Sequence, residues 1–493
     1  MSMKRFIFIT LAFISLCPLC KGDIWYISEG GRGNKDGTSW SNAAADFPDL
    51  LQNPRINQNT VWSSQGQILP KPGDTIFVSA GRYSPIIIWC PDDPFTINNP
   101  NSNKRVSFEG RIHIYGGFCG NETSLEERMN WYDKESIIDG DSTYKCIWIE
   151  NQYKGTDHYK KEIVIDGFTL ENGYGQGAAI RIVNNTPLLS NLKIKNNVGS
   201  PILYFENCQE DTLDRYNSNL ILCNSIIAHN QILYTNESLK YSDAVFGFVK
   251  SKVDLLNITV SDNDCEPNCF ILEVGDTSSV NVVNSILYNN IFSKLDMIMQ
   301  PYDEINYYNS NLEISGGSKN WSYLLYGNDM GNNIDEDPLF VPLNNYNYEY
   351  DLMPNSPCVD AGSYALYDTL LFGLGIVVNT FKNTDYLARP RYNQKEIDMG
   401  AFEIKPVDYA PTNNTDNHHN QNINIYNSND EIIINNLKEG STINIKDIVG
   451  RTIYVANCNS SDLIINQLTP GMYFIVIQYD NKIIYTDKIV LNK

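Results

Sequence analysis

Residues 163–290 decide the fold, because a ten-residue pattern returns in them five times: IVIDGFTLEN (163–172), LLSNLKIKNN (188–197), ILCNSIIAHN (221–230), DLLNITVSDN (254–263) and NVVNSILYNN (281–290). The first polar place of the pattern is filled by Asp166, Asn191, Asn224, Asn257 and Asn284. Six residues later every copy has an asparagine, namely Asn172, Asn197, Asn230, Asn263 and Asn290. Two places before the first polar residue the side chains are aliphatic: Val164, Leu189, Leu222, Leu255 and Val282. The place three residues after it is aliphatic too, except at Thr169.

The spacing of the copies indicates a solenoid. The steps between them are 25, 33, 33 and 27 residues, within the range in which self-similarity signals stacked repeats. The two aliphatic places lie five residues apart, so an unbroken strand would send them to opposite faces. A bend at the Asp or Asn, residues that tolerate a left-handed backbone, brings both inside, and the second Asn then closes the next bend.

Each gap between copies holds a further run of β-forming residues, at 178–183, 202–205, 245–249 and 270–274. Every repeat therefore supplies about three short strands, and stacked repeats place like side chains in columns ~4.8 Å apart. The sequence predicts an all-β chain built as a parallel β-helix, in which asparagine amides bond along the stack. A stacked sandwich is the alternative, but it requires hairpin turns and strict alternation, and neither is prominent here.

The amino terminus predicts export. Lys4 and Arg5 precede an eleven-residue apolar run at 6–16 and small residues before Asp23, an order typical of a cleaved secretory signal over 1–22. A lipoprotein signal at Cys17 or Cys20 is the alternative, although Leu precedes each cysteine. No other stretch approaches the length of a transmembrane span. The net charge of −21 argues against nucleic acid or anionic lipid as a partner.

The cysteine pattern indicates neither a cofactor nor a metal site. Of eleven cysteines, two lie in the predicted signal, and the others are scattered apart from Cys265 and Cys269 in the loop CEPNC. Export permits a local disulfide between those two. A structural zinc site would need a second ligand pair close by, and the sequence offers none.

Both ends of the segment 24–403 resemble a known group of proteins. WYISEGGRGN, GDTIFVSAGRY (73–83) and IYGGFCGNETSLEERMNW (114–131) open it, and NIDEDPLFV (333–341), NSPCVDAG (355–362), ARPR (388–391) and IDMGAFE (397–403) close it. In this order they resemble bacterial right-handed parallel β-helix surface proteins of the choice-of-anchor type. The resemblance implies a right-handed β-helix with an amino-terminal cap over 23–405 and a setting at the cell surface, and it implies no particular reaction.

The carboxy-terminal part has a different composition. Residues 406–423 are poor in apolar side chains and read as a polar linker, and 424–493 alternate short β runs with turns, as an antiparallel sandwich does. This tail resembles the sorting domain that the type IX secretion system of Bacteroidetes recognises. The matching residues are Ile445, Asp447, Gly450, Arg451, Leu468, Gly471, Tyr473, Lys488 and Lys493. The resemblance implies that the secretion machinery is a partner of this domain.

One pair of residues is a candidate catalytic site. His229 and Asp262 stand at the same place in adjacent copies, where an imidazole oriented by a carboxylate can act as a general base. Both also lie at a bend flanked by Asn, where polar residues are expected for backbone reasons. Glu171 and Asp262 lie in the same predicted column but roughly 14 Å apart, too far for the paired carboxyls of a glycosidase.

The sequence thus favours an exported protein with a noncatalytic role, either display or the binding of glycans or a host surface. The alternative is a carbohydrate-active enzyme, a polysaccharide lyase or a glycoside hydrolase. Fold alone does not decide between the two, because β-helices host both. The many tyrosines, 31 in all, offer aromatic faces on which sugars stack.

Overall fold

The computed structural model of the 493-residue chain describes residues 22–51, 70, 73–90, 106–107, 112–128, 131–151, 163–209, 219–233, 243–265, 269–291, 296–298, 302–341, 348–371, 384–391 and 396–404, and in the tail 424–428, 431–435, 437–447, 452–458, 460–465, 468, 471–479 and 482–491. The predicted signal (1–22, apart from Gly22) and the predicted linker (406–423) lie outside these residues. Two compact units are formed, Met1–Val407 and Asp408–Lys493.

The first unit is a parallel β-helix made of three long sheets, which the chain visits in turn. Sheet A contains Ile24–Ile27, Asp74–Ser79, Ile112–Phe118, Ile163–Asp166, Leu188–Ser190, Leu220–Cys223, Lys252–Leu256, Ser279–Val283, Glu304–Tyr308 and Asn328–Asp329. Sheet B contains Gly81–Tyr83, Ser136–Asp139, Phe168–Glu171, Lys193–Lys195, Ile226–Ala228, Thr259–Ser261, Ile286–Tyr288 and Asn311–Leu312. Neighbouring strands pair in parallel, coil upon coil, as the repeat predicts.

Sheet C holds the additional run predicted in each gap. It contains Ile86–Cys90, Val106–Ser107, Ile147–Asn151, Ile180–Val183, Leu203–Glu206, Ala244–Val249, Phe270–Gly275 and Asp296–Ile298. A short sheet D at the corner between sheets B and C contains Val198–Gly199, Gln231–Ile232 and Asp264–Cys265. The inward side chains of sheets A, B and C form one continuous apolar core, so each coil buries its apolar face against its neighbours.

Short helices accompany the solenoid. The α-helices are Phe47–Leu51, Tyr323–Tyr326 and Tyr364–Leu371, and the 3₁₀ helices are Trp40–Asn42 and Leu125–Glu127. Phe47 and Leu50 join the first coils of the core, and Trp40 packs against Phe118. The amino-terminal elements thus cover apolar surface at the first coils.

The first copy of the repeat is shifted by one residue from the predicted register. Asp166 pairs with Ser190 and not with Asn191, so the prediction that it shares the column of Asn191 is wrong. Gly167 takes the left-handed bend there, with φ 79°, where Asn191 has φ 54° in the next coil. Glycine adopts this conformation at no steric cost, and the bend therefore does not need the Asp side chain.

The one-residue shift of the first copy also explains why Thr169 interrupts the predicted aliphatic column. Leu170 takes the interior place predicted for Thr169, and Ile165 takes the one predicted for Val164. Thr169 and Val164 face away from the solenoid core instead. In the later coils Leu189, Leu222, Leu255 and Val282 pair in one interior row.

The second asparagines of the four later repeats form an amide ladder inside the solenoid, whereas Asn172 of the shifted first copy donates to Asp139 instead. Asn197 donates from Nδ2 to Oδ1 of Asn230, Asn230 to Asn263, and Asn263 to Asn290, each over 2.9 Å. The same oxygens accept backbone N–H groups over 3.1–3.2 Å. These amides are buried or nearly so, and the ladder satisfies them along the stack, as buried polar groups require.

The asparagines at the first polar place of the repeats donate mostly to main-chain oxygens outside their own column, and less to one another. The residues of this column take left-handed φ values of 45–54° at Asn191, Asn224, Asn257, Asn284 and Asn309. The amides of Asn224, Asn257, Asn284 and Asn309 donate to the main-chain oxygens of Thr384, Asp398, Ser363 and Ala361, in that order. We call residues 348–371, 384–391 and 396–404 the closing segment, because residues of these ranges pack over this column and the outer face of sheet B.

The second unit is an antiparallel β-sandwich. One sheet contains Asn424–Ser428, Glu431–Asn435 and Asp462–Ile465, and the other contains Thr442–Asp447, Thr452–Asn457, Gly471–Tyr479 and Lys482–Leu491. Ile432 and Ile434 of the first sheet share a core with Ile443, Ile445 and Ile475 of the second. The tail thus has its own apolar core.

Candidate functional site

A column of polar residues follows the corner where the chain leaves sheet B. Asn172, Asn196, His229, Asp262 and Asn289 take left-handed φ values of 51–60°. Each donates its N–H to the carbonyl of the next, over 3.0–3.2 Å. Asn, Asp and His are the side chains most enriched in this conformation after glycine. The backbone therefore accounts for the residue types, and we call this set the bend column.

The structure places His229 and Asp262 in neighbouring coils, as the register predicts, and joins them through a third residue. The hydroxyl of Tyr350 lies 2.8 Å from Oδ2 of Asp262 and 3.1 Å from Nε2 of His229. Oε1 of Glu349 lies 2.6 Å from the same Nε2. The amide of Asn289 donates to the other oxygen of Asp262. The catalytic assignment of the pair is not tested by this geometry and stays a prediction.

The protonation pattern follows from these contacts. Burial, together with the hydrogen bond to Asp262, raises the pKa of Tyr350 well above its ordinary value, so its hydroxyl stays protonated and donates a hydrogen bond to Asp262. Nε2 of His229 lies within hydrogen-bond distance of both this phenol oxygen and Oε1 of Glu349.

Sequence reasoning did not find Glu349 and Tyr350. They lie well beyond the last copy of the repeat, in the closing segment, and no spacing connects them with the bend column. The ring of Phe340 packs edge-on against Tyr350, with centroids 5.2 Å apart. The carboxylate of Asp351 pairs with Arg389. Tertiary packing alone brings this part of the chain to His229.

A row of charged side chains on sheet B runs beside the first residues of the bend column. Arg82 contacts Asp139 and lies 2.6 Å from Glu171. Lys195 lies 3.6 Å from the same Glu171. The amide of Asn172 donates to Asp139 over 3.0 Å. Cations and carboxylates alternate here, so the row presents hydrogen-bonding groups of both kinds without a strong net charge.

Two exposed tyrosines lie beside the bend column, on the side away from sheet B. Tyr144 and Tyr174 keep 54 % and 48 % of their surface exposed, which is much for so large an apolar side chain. The N–H of Tyr174 donates to the carbonyl of Tyr144 over 3.0 Å, so the two residues sit in adjacent coils. The N–H of Ser142 donates to the carbonyl of Asn172 and fixes this pair against the bend column. We call Tyr144 and Tyr174 the tyrosine face.

The local disulfide considered between Cys265 and Cys269 is described only in part. Cys269 is disulfide-bonded, but the side chain of Cys265 lies outside the described residues, so their pairing stays a prediction. Within the described ranges, no three His, Cys, Asp or Glu side chains cluster as metal ligands would. Over the same ranges no helix has the length and apolarity that crossing a membrane requires.

The residues that resemble a sorting signal lie in the tail sandwich. Tyr473 is buried in its core and pairs through the backbone with Asp447. Gly471 and Lys488 lie on neighbouring strands, opposite Leu491 and Phe474. Gly450, Arg451 and Lys493 lie outside the described residues.

The comparison with known families assigns the tail. Residues 417–492 match the model of the secretion system C-terminal sorting domain. The tail is a type IX sorting domain. The protein is therefore exported by the type IX secretion system to the cell surface or the extracellular space, and the machinery of that system is its partner. None of the curated proteins and none of the solved structures is significantly similar to this chain.

Proposed function

We propose that this exported β-helix is a noncatalytic glycan-binding protein of the cell surface, related to the choice-of-anchor group, and that it binds sugar at the tyrosine face. The observation that carries the proposal is the position of Tyr144 and Tyr174, exposed in adjacent coils beside the polar bend column. Aromatic rings with one apolar face and one wet edge are the side chains on which sugar rings stack.

The surroundings of the tyrosine face suit hydroxyl groups. Asp139, Glu171 and Asn172 offer oxygen acceptors, and Arg82 and Lys195 offer donors. A sugar presents both kinds of group, so a row that alternates donors and acceptors can match it. The parallel strands hold these side chains in place before binding, and a preformed site loses little conformational freedom on association.

The contacts of His229 favour a structural role for the candidate catalytic pair. Its Nε2 is hydrogen-bonded to Glu349, and Asp262 accepts from Tyr350 and Asn289. Each group is thus engaged by a neighbour, and the arrangement fastens the closing segment to the bend column. A carbohydrate-active enzyme is the second candidate, because the imidazole keeps 44 % of its side-chain surface exposed and contacts a tyrosine hydroxyl.

Binding to a glycan array by the purified full-length chain tests the proposal. Wild type is expected to bind at least one glycan class, and Tyr144→Ala and Tyr174→Ala are each expected to weaken that binding about tenfold, since a stacked ring contributes ~1 kcal/mol or more. Tyr302→Ala is the matched control, because Tyr302 is 78 % exposed but lies at the corner between sheets C and A. Binding that is absent, or that survives both substitutions, would overturn the proposal.

A further inference from the structure

We infer that the ligand is an uncharged, extended polysaccharide lying along the bend column, parallel to the solenoid axis, with about one sugar unit per coil. This inference rests on the proposed function and adds to it the class and the direction of the ligand.

The spacing of the residues in the bend column indicates the direction in which the ligand lies. Asn172, Asn196, His229, Asp262 and Asn289 follow one another from coil to coil through backbone hydrogen bonds. Successive coils are ~4.8 Å apart, so the column spans about 19 Å. One pyranose unit of an extended chain has a length close to the distance between coils. A chain laid along the column therefore passes one residue of the column at each sugar, and the tyrosine face lies beside its first units.

The charged side chains beside the bend column indicate the chemical class of the ligand. Arg82 is held by Asp139 and Glu171, Lys195 by Glu171, and Lys193 lies 3.9 Å from Glu135. The cations beside the column are thus matched by carboxylates. The chain as a whole has a net charge of −21, which repels polyanions at long range. Uronic acid or sulfated polymers would meet an unfavourable field, whereas a neutral chain would not.

The exposure of the column leaves room for such a chain. Asn196 and Asn289 are exposed, and Asn172 and Asp262 are half-buried. Glu349 and Tyr350 border the column at His229 from the side of sheet B, since Tyr350 packs with Ala228 of that sheet. The tyrosine face lies on the opposite side. The ligand is thus expected between these two borders.

The test measures affinity as a function of chain length. Cello-, manno- and xylo-oligosaccharides of one to six units are titrated against the full-length chain, with oligogalacturonates of equal length as charged probes. For at least one neutral series the affinity is expected to rise at least tenfold from the dimer to the pentamer and then to level off. The oligogalacturonates are expected to bind at least tenfold more weakly than that series.

Two variants locate the chain on the column. Asn289→Gly removes the side chain at the far end while the positive φ suits glycine, and it is expected to weaken pentamer binding several-fold and leave dimer binding unchanged. Tyr174→Ala is expected to weaken both. Asn207→Gly is the matched control, because Asn207 also has a left-handed φ of 51° but lies at the corner after sheet C.

The outcomes separate this inference from the proposed function. Binding that needs Tyr174 but is equal for dimer and pentamer, or is indifferent to Asn289→Gly, would leave the proposed function standing and overturn the extended chain. A preference for oligogalacturonates would overturn the neutral class. Failure of every oligosaccharide to bind would overturn both.

Discussion

Nε of Arg391 donates a 3.0 Å hydrogen bond to Oδ1 of Asn224, although 167 residues separate the two in the chain. Arg391 is fully buried, and its guanidinium also donates to Glu403 over 3.2 Å and to the carbonyls of Gly400 and Ala401. The closing segment is thus fastened to a bend of the solenoid by a buried charge. This contact gives a structural role to Asn224 and to the motifs ARPR and IDMGAFE. The sequence alone does not indicate that role.

The buried cluster around Arg391 predicts a loss of stability as the pH rises from about 4.3 towards 9. Burial raises the pKa of Glu403 to about 9, and the neighbouring guanidinium of Arg391 offsets only part of that effect. In the unfolded chain a glutamate ionises near its ordinary pKa of ~4.3. The stabilising contribution of protonated Glu403 is therefore complete below about pH 4.3 and is lost as the pH rises through 9, at up to ~1.4 kcal/mol per pH unit.

Glu403→Gln is expected to flatten this dependence, because the amide keeps the shape of the acid and does not titrate. Thermal unfolding of the full-length chain between pH 5 and 9 measures it, and the melting temperature of wild type should fall more steeply than that of the variant. Glu396→Gln is the control, since Glu396 is an exposed residue of the same segment. Parallel curves for wild type and Glu403→Gln would contradict the role given to Glu403.

The amide ladder predicts a local stability effect. In Asn263→Ala, Asn230 loses the oxygen that accepts both its amide and its backbone N–H, and Asn290 loses its donor. Leaving buried polar groups without partners costs ~1–3 kcal/mol each. Denaturant unfolding of the β-helix, with hydrogen exchange to locate the opened coils, measures the loss. Asn196→Gly removes an exposed side chain one place before the ladder and is expected to change stability by much less.

The solenoid could be predicted from the sequence because its determinants are periodic. Aliphatic residues at fixed offsets place the strands, and residues that tolerate a left-handed backbone mark the bends. The prediction failed at Asp166, where the adjacent Gly167 supplies the bend without a polar side chain. Glycine has no polar side chain that would mark the bend in the sequence, so the repeat pattern points to Asp166, one residue before the bend.

The candidate site could be predicted only in part, for a different reason. His229 and Asp262 lie on the repeat, so their register is visible in the sequence, whereas Glu349 and Tyr350 reach them through the packing of the closing segment. The tyrosine face has a similar origin. Tyr174 follows the repeat by two residues, but Tyr144 lies in a coil whose sequence does not match the pattern, so their pairing appears only with the backbone contact between them.

The role of the cluster around His229 can be decided by two substitutions. Tyr350→Phe removes the hydroxyl that joins His229 to Asp262 and is expected to lower stability by ~1 kcal/mol, measured by thermal unfolding. His229→Ala separates the two readings of the site. If the cluster fastens the closing segment, any polysaccharide-degrading activity of the preparation stays the same; if His229 is catalytic, that activity falls ~100-fold or more while the fold remains intact.

Removal of the sorting domain is expected to stop the protein at the outer membrane. The described strands of the tail form a sandwich with its own apolar core, so deletion of residues 424–493 should leave the β-helix folded, with an unchanged melting transition for that unit. Because the type IX machinery reads this domain, the truncated protein should accumulate in the periplasm. Protease accessibility and surface labelling of intact cells measure the distribution, and a periplasmic marker checks that the outer membrane is sound. Equal surface exposure with and without the tail would show that export depends on another part of the chain.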